Sequence, residues 1–222
     1  SNLYTETSDF NLNIISADTG PAFISAGRWL GAIPLRIDYV NLGQSSLATA
    51  FSANPYVSFD LGNYRSILIE STFLTRNYAD TINEPQDGNL VMAGAAYTTL
   101  FQSLNTGIEA GFRLRNRSAE DDQFAFDGFT LYFSGYTSIT ELSSIYLKAN
   151  YRKFDYKAPD TIIDDTNTTL VRNDDEITAS IGYNLDIKDG FIGKWTVNTE
   201  IAYTENASNI DAYDYDRLLL SL

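Results

Sequence analysis

The chain has 222 residues, with 29 Asp+Glu against 15 Lys+Arg and a net charge of −14. That balance leaves too little clustered Lys and Arg to hold a phosphate backbone, so nucleic acid is excluded as a partner. With no cysteine and no histidine, disulfides, thiolate or imidazole metal sites and every His-dependent catalytic set are excluded.

No window approaches ~20 consecutive apolar residues, so no membrane-crossing helix is expected. The chain instead alternates at period two. In chain order the spacing predicts about twelve strands: 6–16, 21–29, 33–42, 47–61, 64–78, 89–102, 105–118, 128–138, 142–155, 176–188, 191–204 and 213–222. In the seventh, Ile108, Ala110, Phe112 and Leu114 oppose Glu109, Gly111, Arg113, Arg115 and Arg117. In the tenth, Ile177, Ala179, Ile181, Tyr183, Leu185 and Ile187 oppose Thr178, Ser180, Asn184, Asp186 and Lys188. Alternation is less clean near Ile24, Ile33, Ile69 and Val91. Several strands reach 13 residues, where a soluble strand holds about 5–6 and a tilted membrane-crossing strand needs about 9–11.

The connections alternate in length. Tight turns are expected at Leu61-Gly62-Asn63-Tyr64, Ser103-Leu104-Asn105, Ile139-Thr140-Glu141 and Lys188-Asp189-Gly190-Phe191. Longer loops fall between them at 79–88, 118–128, 156–176 and 205–212, and these hold −13 of the −14. Short turns at one end and long acidic loops at the other match an outer-membrane barrel. The expectation is therefore an all-β fold, an antiparallel up-and-down transmembrane β-barrel of about twelve strands, in one domain spanning 1–222. The even count returns both ends to the short-turn side. Tyr39, Tyr64, Tyr78, Phe101, Phe129, Tyr151, Phe191 and Tyr203 are expected in aromatic girdles facing lipid.

The opposite stripe is then the lumen. Its candidate lining residues are Arg113, Arg115, Arg117, Tyr132, Tyr136, Lys148, Arg152, Glu109 and Glu200, with Arg36, Arg76, Asp38 and Glu70 also inward. Arginine forks beside tyrosine hydroxyls suit an anion or an acidic sugar. The preferred alternative is an internal salt-bridge network with Glu109 and Glu200 as the partners. The doublets Asp121-Asp122, Asp164-Asp165 and Asp174-Asp175 lack the spacing of a Ca²⁺ loop. They could hold divalent cations that bridge to lipopolysaccharide, or simply be solvated. No metal site, cofactor site or catalytic pair is singled out.

Two stretches carry a resemblance. Arg172-Asn173-Asp174-Asp175-Glu176, together with Ser208-Asn209-Ile210 and Tyr213-Asp214-Tyr215-Asp216-Arg217, resembles the C-terminal barrels of surface lipoprotein assembly modifiers and related tetratricopeptide-linked barrels. The resemblance implies a role in moving cargo across the outer membrane of a Gram-negative bacterium. The helical periplasmic domain of that group is missing from these residues, and the last strand is expected to be a few residues short. The expected function is thus a channel or export pore whose solute or cargo is unnamed, in contact with outer-membrane lipid and lipopolysaccharide. The alternatives are a plugged structural or adhesive barrel whose loops bind partners, and a soluble barrel or sandwich. An enzyme is not expected.

Overall fold

The computed structural model describes residues 12–25, 27–42, 45–160, 170–190 and 193–221. They form fourteen strands in a single antiparallel sheet. β1 spans Leu12–Thr19, β2 Ala22–Ser25, β3 Trp29–Ala32, β4 Leu35–Leu42, β5 Ser45–Ala53, β6 Tyr56–Gly62 and β7 Arg65–Tyr78. β8 spans Gly88–Phe101, β9 Thr106–Ala119, β10 Phe126–Thr140, β11 Ser143–Pro159, β12 Val171–Gly190, β13 Gly193–Ser208 and β14 Tyr215–Ser221. From β7 onward each strand pairs with the next in sequence, so the topology is up-and-down. The helical pieces among the described residues are single 3₁₀ turns inside connections.

The first six strands are three long ones, each broken at a proline. Pro21 divides β1 from β2, Pro34 divides β3 from β4, and Pro55 divides β5 from β6. Proline has no N–H to give to a ladder. The three prolines lie at one height on neighbouring strands, where they serve only as acceptors. Ile33 N donates to Pro21 O at 3.0 Å, Asn54 N to Pro34 O at 2.8 Å and Ser71 N to Pro55 O at 2.9 Å.

Joined across these breaks, the strands cross the sheet eleven times. The strands expected separately at 6–16 and 21–29 are one traverse over 12–25, and the chain reverses at Gly27 (φ 97°). Residues 6–11 lie outside the described ones. The odd count leaves β1 and β14 running in the same direction, in place of the even count expected from the sequence. These two strands do not pair, so the sheet is not closed among the described residues.

The alternation of connections holds. From β6 onward, the short connections 63–64, 102–105, 141–142 and 191–192 leave one end of the sheet. The connections 79–87, 120–125, 160–170 and 209–214 leave the other. The four long ones carry eleven carboxylates and no Lys or Arg; the short ones carry a single charge, Glu141. Several of these carboxylates hold their own loops. Asp80 accepts from Ile82 N and Asn83 N, and Asp121 accepts from Gln123 N at 3.0 Å.

Register then places the side chains. Because directly opposed residues point the same way, one face can be followed across the sheet through Tyr56, Glu70, Gly94, Arg113, Thr130, Arg152, Glu176, Asn206 and Tyr215. Thr130 on this face is 2% exposed and Asn206 4%. On the other face Ile181 is 52% exposed and Phe112 46%, with Phe51, Ile69, Phe73, Leu131, Leu147, Ile177 and Ile201 also exposed. A flat sheet would expose both faces equally, so the sheet is concave toward its polar side. The usual burial of apolar side chains is inverted.

The three turn residues Gly62, Asn63 and Tyr64 all have positive φ. At Gly62 (φ 75°) an added Cβ would meet nothing within 4 Å, so substitution there strains only the backbone. Gly62→Ala should lower stability by about 1–2 kcal/mol. Gly135→Ala, where an added Cβ makes ordinary contacts at 3.7 Å or more, should be close to neutral. Urea unfolding of the two variants checks this; equal midpoints would show that the 62–64 turn is not held in this conformation.

Candidate functional site: the polar inner face

All nine candidate lining residues fall on the concave face. Arg113, Arg115 and Arg117 rise along β9 toward the long connections. Glu109 stands lower on that strand, and Tyr132 and Tyr136 lie beside them on β10. Lys148 and Arg152 follow on β11, and Glu200 on β13.

Three inward tyrosines lie against glycines of the next strand. Tyr132 is opposite Gly111, Tyr136 opposite Gly107 and Tyr146 opposite Gly182. A Cβ on Gly182 would come within 2.1 Å of the Tyr146 ring, and one on Gly107 within 2.3 Å of the Tyr136 ring. The glycines supply the space in which the rings lie flat on the sheet. Cations then settle over these rings: the Arg113 guanidinium is 4.5 Å from the Tyr132 centroid, and Lys148 Nζ is 4.5 Å from that of Tyr146.

The ion pairs also run along the wall. Arg113 Nε donates to Glu70 at 2.6 Å, crossing β8 above Gly94. Lys148 Nζ donates to Glu200 at 3.1 Å across β12, and Arg152 Nη1 donates to Glu176 at 2.9 Å. The expected partners were therefore only partly right. Glu200 pairs with a lysine rather than an arginine. Glu109 accepts from Thr98 Oγ1 at 3.2 Å, and the arginines use Glu70 and Glu176. Register decides this, because Glu70 shares a row with Arg113 two strands away, which sequence spacing does not reveal. Arg117 donates to the Gln86 carbonyl at 3.1 Å, tying the strand to the 79–87 connection.

Above this field lies an aromatic and ionic cluster that sets the base of the longest connection. Arg172 stands 3.5 Å from the Tyr213 centroid and 4.5 Å from that of Tyr156. Its Nε donates to Asp174 at 2.8 Å, and Tyr213 OH donates to Asp160. Asn206 Nδ2 donates to the Tyr213 carbonyl at 2.7 Å, and Asn173 N to Asn209 Oδ1 at 2.7 Å. The two stretches that carry the family resemblance thus sit side by side. The cluster also corrects one reading. Asp174 points inward to Arg172, whereas Asp175, on the opposite face, accepts from Tyr151 OH. They do not form a paired cation site. Asp164-Asp165 lies outside the described residues, and no cluster of three or more metal-ligating side chains occurs among the described ones.

On the convex face, Tyr39, Phe101, Phe129, Tyr151 and Tyr203 are outward as expected, with Trp29 and Trp195 added near the short-turn end. Tyr64 lies in the short turn itself. Tyr78 is the exception: it is opposed to Ala48 and lies on the inner face within reach of Arg76. Phe191 lies outside the described residues. Past Phe129, Tyr151 and Tyr203 the outward stripe turns polar on each strand, at Asp127, Lys153 and Glu205.

No protein-family model matches the chain, and no curated protein matches it.

Burial, with the hydrogen bond to Asp160 reinforcing it, raises the Tyr213 phenol to about 12, against an ordinary value of about 10. The folded protein keeps this proton where the unfolded chain has lost it. Its stabilisation is therefore complete below pH ~10 and is lost as pH rises through about 12. Absorbance titration at 295 nm should show Tyr213→Phe losing a late-titrating tyrosine. Loss of an early one would mean that the cluster does not bury this phenol.

Proposed function

We propose that the chain is a transmembrane β-barrel of a bacterial outer membrane and forms a water-filled channel or translocation pore. The observation that carries the reading is the inverted burial: small and polar residues line the concave face, and a continuous apolar surface covers the convex one. Monomeric soluble proteins rarely expose apolar patches beyond a few hundred Å², and hydrocarbon is the solvent that such a face fits.

The dimensions support it. On β13 the outward residues from Trp195 to Tyr203 are Val197, Thr199 and Ile201. Eight residues span about 27 Å along a strand at ~3.4 Å each. With a tilt of ~40° that becomes roughly 21 Å, close to the ~25 Å apolar band of such barrels. Aromatic residues stand at both limits, and at the long-connection end charged ones follow at Asp127, Lys153 and Glu205, the order found at a bilayer face. In lipid every backbone group must be paired, so this reading requires the free edges of β1 and β14 to be satisfied in the membrane.

An open lumen, rather than a plugged one, is favoured by how the inward side chains lie. The tyrosines rest on glycines, and each ion pair joins strands no more than two apart. These groups line a wall instead of filling a bore. The short turns would face the periplasm, and the acidic connections the cell exterior.

Three measurements test the reading. Reconstituted protein should conduct ions across planar bilayers, and absence of conductance would favour the plugged barrel. Ile181→Arg, on the convex stripe, should cost about 2–4 kcal/mol if it lies near the midplane, and Asn184→Arg on the concave stripe much less. Monodisperse protein in water without detergent would overturn the membrane assignment.

A further inference from the structure

Five buried polar atoms without a hydrogen-bond partner among the described residues fall on neighbouring rows of the inner face: Arg115 Nε, Arg152 Nε, Thr130 Oγ1, Tyr132 OH and Asp174 Oδ1. They occupy three adjacent register rows across β9 to β12. Thr130 is directly opposed to Arg113 on one side and to Arg152 on the other. Arg115 is opposed to Gly128, two residues along from Thr130, and the Phe154 ring of the next strand lies over that glycine. Buried donors are ordinarily satisfied, and five orphans in one patch call for a physical reason.

The charges around the patch point to the sign of what is missing. Arg113 has Glu70, Arg152 has Glu176 and Arg172 has Asp174 as partners. Arg117 is spent on the Gln86 carbonyl. Arg115 has no carboxylate within ion-pair distance among the described residues, and its strongest charged neighbours are Arg152 and Arg113, which repel it. The carboxylate that acts against this repulsion at Arg115 is Glu176, and it is already held by Arg152. A half-buried guanidinium beside two others, with a buried hydroxyl between them, is left with excess positive charge and unused donors.

We propose that this patch is a binding site for a small oxyanion, the acid group of a phosphate- or carboxylate-bearing solute. Arg115 and Arg152 supply the charged donors, and Thr130 Oγ1 the neutral one. Planar guanidinium forks match such groups in geometry as well as charge. Arg113 is turned away onto Glu70 and the Tyr132 ring, so it contributes field rather than a direct bond. Asp174 stands opposite Phe154, one register row from Arg152, and its second oxygen is an acceptor able to take a hydroxyl carried by the same solute. The inference rests on the pore reading for access from water, and it deepens that reading by naming what the lumen selects.

Equilibrium binding of inorganic phosphate to the full chain in detergent tests the site without needing an open pore. Saturable binding at one site per chain is expected. Arg115→Gln should weaken it at least tenfold, and the near-isosteric Thr130→Val several-fold. Glu176→Gln should tighten it several-fold by freeing Arg152, a gain that structural damage would not produce. Weaker binding in Glu176→Gln, unchanged binding in Arg115→Gln, or no saturable binding by the wild type would overturn the site. Conductance measured on the same samples separates the two claims. A conducting protein that does not bind phosphate loses the site and keeps the pore; a binding protein that does not conduct keeps the site and loses the pore.

Discussion

Backbone pairing at a period of two is the constraint on which the rest of the structure depends. Once each strand is held to its neighbours, successive side chains must point to opposite faces. The register running through Glu70, Gly94, Arg113, Thr130, Arg152 and Glu176 therefore gathers polar groups from five strands, with a glycine on the sixth, onto one surface. The same pairing sends Ile69, Phe112, Leu131, Ile181 and Ile201 to the other. A slip of one residue in any strand would put arginines among the leucines, so the ion pairs and the apolar face fix the register jointly.

Curvature follows from side-chain size. The concave face carries glycine, alanine, serine and threonine at many positions: Ala50, Gly94, Ala96, Gly111, Thr130, Ser180 and Thr204 among them. Small residues allow neighbouring strands to lean together on that side, and the bulky chains fan out on the other. The long inward side chains are then accommodated by lying along the wall, tyrosine over glycine and arginine over tyrosine. This arrangement leaves a polar face in which Arg115, without a carboxylate at ion-pair distance among the described residues, has chemical meaning.

Much of this was legible in the sequence. The alternation from residue 64 to 204 gave the strands nearly where they stand, and the parity of long and short connections held. The face assignment of Arg113, Arg115, Arg117, Lys148 and Arg152 required only counting by two. What escaped was whatever depends on neighbours distant in sequence. The stretches near Ile24, Ile33, Ile69 and Val91 read as less regular, and the first traverse, interrupted at Pro21, read as two strands; only the ladder bond to the Pro21 carbonyl shows that it resumes. Tyr78 read as a girdle residue because it ends a strand, but its register with Ala48 turns it inward. The partners of the arginines were misassigned because the nearest acidic residue along one strand competes with residues that the register brings alongside. The doublet Asp174-Asp175 read as one acidic feature, although strand geometry separates its members to opposite faces.

The absence of native cysteine makes the central claim directly measurable. Single cysteines placed in turn from 108 to 115 on β9, each labelled with a nitroxide in reconstituted vesicles, report local exposure to oxygen dissolved in lipid and to a water-soluble nickel chelate. The account predicts a period of two in opposite phases: oxygen favoured at 108, 110, 112 and 114, and the chelate favoured at 109, 111, 113 and 115. Uniform access of the chelate at all eight positions, or a pattern with the phases reversed, would contradict it.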